Sequence, residues 1–254
     1  MDQKARAERL RELHGKEMLV LPNVWDAASA KIVAEAGYPA VATASAAISA
    51  MLGHPDGEGA PWQEMFAAAG RVARAVSVPV TVDAEAGYGM RPDEFVDRLL
   101  ETGAVGCNLE DTDHQAGGLA EAGAHAQWLA DVRAAADDAG VPLVINARVD
   151  TFLAASGIPE PDRLAETIRR GRLYREAGAD CLYPIGVRRK QDLATLVAEL
   201  PGPINGNTGD ELDLATLENL GVARVSYGPR LYFAALATLK STVEELGATG
   251  SGAR

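Results

Sequence analysis

Acids that close short apolar runs carry the first chemical signal in this chain. Val82-Asp83-Ala84-Glu85, Leu109-Glu110-Asp111 and Ala147-Arg148-Val149-Asp150 each turn from apolar to charged, and Gly53-His54-Pro55-Asp56-Gly57-Glu58 adds two more carboxylates. Carboxylates gathered at one place repel one another unless a cation stands between them. Oxygen donors with no cysteine and little histidine suit a hard ion, so Mg2+ is the expected metal, with Mn2+ as its alternative. Asp83, Glu85, Glu110 and Asp56 are the candidate donors, some of them through water, because Mg2+ gives up its water reluctantly. Any one of these acids alone reads more simply as a helix cap or a solvated charge. Asp83 and Glu110 together, each closing an apolar run, point to chemistry.

Arg148 ends another such run. A guanidinium there fits a carboxylate ligand, since it grips two oxygens at once; the competing reading is an ion pair with one of the same acids. Tyr88 and Tyr227 follow strand ends, where a phenol can donate to a substrate oxygen. Asn205 and Asn207, in Asn205-Gly206-Asn207-Thr208, are candidate substrate contacts. Residues 112–124 are rich in glycine and alanine and read as a lid, with His114 in it as a candidate proton carrier. His54 and His125, in or beside loops, read as solvated residues.

These side chains need a frame that brings the ends of separate strands together. The sequence alternates strand and helix without a break. Strands are predicted over 18–22, 39–43, 78–83, 104–110, 141–148, 179–184, 203–206 and 223–227. Helices are predicted over 26–36, 61–76, 92–102, 125–139, 161–177, 190–200, 212–220 and 231–246. Asp26 caps the first of these, Gly37 stops it, and Pro92 opens another. Eight βα units in 254 residues predict an α/β fold, a (β/α)8 TIM-type barrel forming one domain over 1–254. An added helix near 4–14 falls within an N-terminal extension of about 1–17, and 247–254 reads as a flexible tail. In such barrels the active site lies at the carboxyl ends of the strands, which is where the acids fall.

Composition narrows the classes. Lys and Arg number 24 against 36 Asp and Glu, a net charge of −12, which argues against nucleic acid and an anionic membrane as partners. Cys107 and Cys181 lie in apolar runs and read as buried thiols. No apolar run approaches the length of a membrane span, and none follows Met1-Asp2-Gln3-Lys4, so a cytoplasmic protein is expected. A Schiff-base aldolase would need a lysine closing a strand, and Lys4, Lys16, Lys31, Lys190 and Lys240 do not. No dinucleotide fingerprint stands in a βα context.

The segments Asn23-Val24-Trp25-Asp26-Ala27, Leu52-Gly53-His54-Pro55-Asp56-Gly57, Val82 through Gly89, Leu109-Glu110-Asp111 and Ala147-Arg148-Val149-Asp150 together resemble the phosphoenolpyruvate mutase / isocitrate lyase superfamily. The resemblance covers about 19–232. It implies that Asp83 binds Mg2+ directly, while Asp56, Glu85 and Glu110 hold its waters. It implies that Arg148 grips a small carboxylate substrate and that Thr43, Ala44, Ser45 and Ala46 offer donors to an oxyanion. The shared chemistry runs through a pyruvate-type enolate of a 2-oxo or 2-hydroxy acid. Members are tetramers of barrels that exchange a C-terminal helix, so a homotetramer or homodimer is expected.

Departures from that pattern narrow the reaction. The lid, Thr112-Asp113-His114-Gln115-Ala116-Gly117-Gly118-Leu119, lacks the Lys-Cys-Gly-His motif of isocitrate and methylisocitrate lyases. It also lacks the lysine and asparagine of the mutases. What remains is similar to the oxaloacetate decarboxylase and substituted-malate lyase branch. The alternatives are a C–P mutase or hydrolase, and a barrel that binds a metabolite without turning it over.

Overall fold

A computed structural model describes residues 2–15 and 17–250. Local signals set most of its elements. Helix α1 (Gln3–Leu13) is capped by Asp2, whose side chain accepts from the Ala5 amide. Strands β1 (Leu19–Leu21) and β2 (Asn23–Val24) follow, then α2 (Ala27–Glu35). Asp26 caps α2 by accepting from the Ser29 amide at 2.7 Å, and Gly37, at φ +91°, lets the chain leave it. Next come β3 (Val41–Thr43), α3 (Ser45–Leu52), α4 (Trp62–Ala75) and β4 (Val80–Asp83). Helix α5 (Pro92–Glu101) opens on proline, as expected, and leads to β5 (Gly106–Glu110) and α6 (Ala122–Asp138). The second half runs β6 (Val144–Val149), α7 (Glu160–Glu176), β7 (Cys181–Pro184), α8 (Lys190–Glu199), β8 (Asn205–Asn207), α9 (Leu214–Asn219), β9 (Arg224–Ser226) and α10 (Arg230–Gly250).

All strand pairings are parallel. One sheet runs β2-β3-β4-β5-β6-β7 and the other β1-β9-β8. Pro22 separates β1 from β2; it has no N–H to donate, and there the extended segment changes partner from β9 to β3. At the other seam a parallel bridge joins Leu182 to Ile204, and the Leu182 amide donates to the Pro203 carbonyl at 3.1 Å. The two sheets therefore meet edge to edge at both seams, as a barrel requires.

The pleat sorts side chains into two shells. Val80, Val82, Cys107, Leu109, Ile145, Ala147, Leu182 and Val225 face the helices and are buried. The opposite phase faces inward. At the amino end of the strands α1 plugs the interior, packing Ala7, Leu10 and Leu13 on Leu19, Leu21, Ala42 and Val144. Gly106 leaves room for Leu10, whose Cδ2 lies 2.8 Å from where a Cβ would stand. Both cysteines are free and buried, as expected.

Three features differ from the sequence reading. Helix α3 is absent from it, because Ser45-Ala-Ala-Ile-Ser-Ala-Met-Leu carries no charge and no polar face to mark a helix. Helix α6 starts at Ala122, capped by the Glu121 carboxylate, three residues before its expected start, which shortens the loop expected to be a lid, and His125 is buried rather than solvated. Helix α10 continues through Gly250, past the expected start of the tail at Gly247; residues 251–254 lie outside the described ones. Among the described residues no helix is long and apolar enough to cross a membrane.

Candidate active site

Asp83 closes β4, and three neighbouring groups hold it. Its amide donates to Thr43 Oγ1 at 2.9 Å. Its Oδ2 accepts from the Ser45 amide at 3.0 Å, and its Oδ1 from Asn108 Nδ2 at 3.3 Å. Ser45 is the first residue of α3, so its N–H has no partner within the helix and suits a carboxylate. The expected oxyanion segment thus serves Asp83: Thr43 and Ser45 touch it, Ala44 caps α3, and Ala46 is half-buried beside them. Each Asp83 oxygen keeps a lone pair beyond its single donor.

The loops after β3 and β4 form a second cluster. Glu58, Glu85 and Tyr88 have φ of 58°, 50° and 57°, where side chains are strained by about 1–3 kcal/mol each. Mutual hydrogen bonds offset that strain. The Glu58 amide donates to Glu85 Oε2, the Tyr88 amide to Glu58 Oε1 at 2.6 Å, and the Tyr88 hydroxyl to Glu85 Oε1 at 2.8 Å. Gly87, at φ +90°, lies under Trp128, whose ring is 2.7 Å from where a Cβ would stand. Burial pushes the Glu85 carboxyl up to about 7, with Asp83 and Asp56 adding repulsion against the donors from Glu58 and Tyr88. Burial and Glu85 likewise push the Tyr88 phenol up, so it is a donor, and Glu85 takes that donation. Asp56 is exposed, near enough to Glu85 to repel it.

Glu110, Arg148 and His114 form the third cluster. Arg148 Nη1 meets Glu110 Oε2 at 2.5 Å, while its Nε and Nη2 meet Asp150 at 2.7 and 2.8 Å. Arg148 is thus ion-paired with the neighbouring acids, and three of its five donors are in use. His114 Nε2 lies 2.6 Å from the other Glu110 oxygen, and that bond raises the imidazole's affinity for a proton. Burial raises Glu110, against the pull of Arg148 and His114. The loop after β5, expected to be a lid, carries a bridge between Thr112 and Leu119, and Asp113 accepts from the Gln115 and Ala116 amides. Beneath it, Asp111 binds Arg170 and Tyr174 of α7 at 2.9 and 2.8 Å and fixes the Asp150 amide at 2.9 Å.

A polar layer lies inside the barrel, and of its members Asn205 alone is a site candidate in the sequence. Asn108, Asn146, Asn205, Arg224 and Ser226 are all buried there. Asn205 was expected to touch substrate. It has no exposed surface and lies below the mouth, its amide engaged with Asn146 at 3.2 Å and Ser226 Oγ at 3.1 Å. Asn207, one pleat higher and half-buried, accepts from Tyr183 and donates to the Ser226 carbonyl. Tyr227 is half-buried, and its amide donates to Asn23. A signal was available: Asn108 and Asn146 stand two residues before Glu110 and Arg148, in the same inward phase of period two. Glu58 and Asp150 were seen without a role.

The donors fit a hard cation held largely through water. Among the described residues no three His, Cys, Asp or Glu side chains stand close enough to hold an ion unaided. Asp83 offers free lone pairs, Glu85 is a buried acid with no cation beside it among the described residues, and Glu110 is a buried acid already paired with Arg148. A cavity of about 370 Å³, lined by Glu58, Glu110, His114, Gln115, His125 and Trp128, opens beside them, enough for a small ligand.

The family model described as phosphoenolpyruvate phosphomutase matches residues 10–247. The uncharacterised protein Rv1998c of Mycobacterium tuberculosis is 33% identical over 217 residues, 85% of this chain and 80% of that one. An oxaloacetate decarboxylase of Bradyrhizobium sp. (strain BTAi1) is 30% identical over 257 residues, 98% of this chain and 87% of that one. A solved structure from Burkholderia cenocepacia J2315, titled as a candidate phosphonomutase, superposes with a TM-score of 0.89 at 40% identity, covering 96% of this chain and 99% of that one.

Proposed function

Because the chain belongs to the phosphoenolpyruvate phosphomutase family, we propose that it is a carbon–carbon lyase or decarboxylase of small 2-oxo or 2-hydroxy dicarboxylates. The observation that carries the reading is the approach of Asp83, Glu85, Glu110 and Arg148 at one end of a parallel barrel. Asp83 would hold Mg2+ or Mn2+ directly, with Asp56, Glu85 and Glu110 on its waters. Such an ion supplies Lewis-acid stabilisation to the charge that develops on the 2-oxo acid.

The chain's own groups do the rest. Arg148 turns its two remaining donors to the substrate carboxylate, with Asp150 holding the guanidinium plane. The C–C bond breaks, CO2 leaves, and its electron pair stays in a pyruvate-type enolate. His114 Nε2 then delivers a proton to the enolate carbon. Decarboxylation needs no acid for a departing alkoxide, which agrees with a lid lacking cysteine. The similarity to an oxaloacetate decarboxylase favours the same branch.

The test is pyruvate release from oxaloacetate with Mg2+, with Asp83→Ala alongside. Pyruvate from the parent and at least a hundredfold less from the variant is expected. An inert parent would sink the decarboxylase reading. The likeness to a candidate phosphonomutase keeps a C–P reading alive, and turnover of phosphonopyruvate would establish it.

We also propose a homo-oligomer, homotetramer or homodimer, in which a second copy covers α10. Apart from Tyr232, which meets Trp25 at 5.2 Å, residues 230–247 are exposed, apolar side chains included.

A further inference from the structure

Arg224 is a guanidinium with no exposed surface, set inside the barrel on β9. Its Nη2 donates to Asn108 Oδ1 at 3.1 Å, while Nε and Nη1 have no hydrogen-bond partner. Among the described residues it makes no ion pair. A buried cation without a counter-charge costs several kcal/mol, and a methionine of similar length would avoid that cost. No step of the proposed reaction uses Arg224.

The geometry shows what the charge achieves. Asn108 Oδ1 receives two donors, Arg224 Nη2 at 3.1 Å and Asn146 Nδ2 at 2.8 Å. An amide accepts at one end and donates at the other. Two donors on Oδ1 therefore fix the Nδ2 end toward Asp83 Oδ1, at 3.3 Å. A flipped amide would set its own N–H groups against the guanidinium. Register makes the chain possible: Asp83 is paired with Asn108, and Asn108 with Asn146. The Ser45 amide holds the other Asp83 oxygen, so both carboxylate oxygens are constrained.

We propose that Arg224 is a positioning residue: through Asn108 it fixes the Asp83 carboxylate in the attitude that takes a divalent cation, and it sets a permanent positive charge beneath a mouth crowded with acids. The inference rests on Asp83 being the residue that holds the ion. Groups behind a ligand commonly govern metal affinity by 10–100-fold.

Mn2+ binding, followed by loss of the free-ion electron paramagnetic resonance signal, tests this without reference to turnover. The parent should bind Mn2+ and Asp83→Ala should not. Arg224→Met should bind at least about tenfold more weakly with an unchanged circular dichroism spectrum. Arg224→Lys, which keeps the charge, should recover part of the loss. Asn108→Ala should weaken binding similarly, and adding Arg224→Met to it should weaken it little further, since both act on one relay. Parental affinity in Arg224→Met would overturn the proposal, as would losses that multiply in the double variant. If Arg224→Met does not fold, Asn108→Ala decides: parental affinity there overturns the relay. A parent that binds no Mn2+ would instead overturn the reading of Asp83, and this inference with it.

Discussion

At the scale of single residues, function turns on how few freedoms the charged groups keep. Arg148 could swing toward any acid at the mouth. Asp150 prevents this with two bonds, at 2.7 and 2.8 Å, and is itself held by Thr112 Oγ1 at 2.5 Å and by its own amide on Asp111. Replacing Asp150 by asparagine keeps the shape but removes the charge and one acceptor. The guanidinium then loses its fork, and its grip on a substrate carboxylate should loosen. Asp150→Asn is expected to raise KM for oxaloacetate about tenfold with a smaller change in kcat, measured by steady-state kinetics. A fall in kcat at constant KM would mean that Arg148 acts on the reacting atoms instead of gripping the carboxylate.

At the scale of elements, α1 illustrates a plug whose stability depends on pH. His14, just past its end, is buried, and its Nδ1 donates to the Leu10 carbonyl at 2.8 Å. Burial, and then repulsion from Arg224, hold its pKa down at about 4 from 6.5. Unfolding frees the imidazole to titrate at its ordinary value. The unfolded chain therefore takes up the proton first as pH falls. The contribution of His14 is complete above pH 6.5 and lost as pH drops through about 4. His125, pushed down to about 4 chiefly by burial, acts in the same sense. Each should steepen the loss of stability by up to about 1.4 kcal/mol per pH unit in that window. Urea unfolding at pH 7, 5.5 and 4.5 should show this slope, and His14→Gln should flatten it. An unchanged slope in the variant would show that His14 titrates normally in the fold.

At the scale of the whole molecule, α10 touches the barrel through Tyr232 and Trp25 and leaves most of its length exposed. Phe233, Leu236, Leu239 and Val243 are 52, 41, 58 and 57% exposed and recur at spacings of three and four. Such a stripe on a long helix is an interface pattern. Leu239→Glu combined with Val243→Glu is expected to convert an oligomer into a monomer by light scattering after size exclusion. A parent that is already monomeric would sink the oligomer proposal, while leaving the site chemistry untouched.

The sequence by itself determined most of the elements, α3 excepted, and which acids close the strands. Capping at Asp26, the stop at Gly37, the opening of α5 at Pro92 and the turn from apolar to charged at Asp83 and Glu110 are local signals, each carried by a few adjacent residues. The same holds for the buried thiols and for the absence of a strand-end lysine. Depth and partnership lay beyond it. Asn205 read as a mouth residue and sits a layer below; His125 read as solvated and is buried; Asn108 and Arg224 carry no local signal of their place in the interior. The reason is physical. Which side chains meet is set by strand register and barrel closure, which join β4 to β5, β5 to β6 and the first strand to the last. The backbone conformations at Glu58, Glu85 and Tyr88 belong to the same class, since hydrogen bonds between separate loops hold them. Residue type decided what chemistry was available, and only tertiary contact decided which groups share a carboxylate, a proton or a cation.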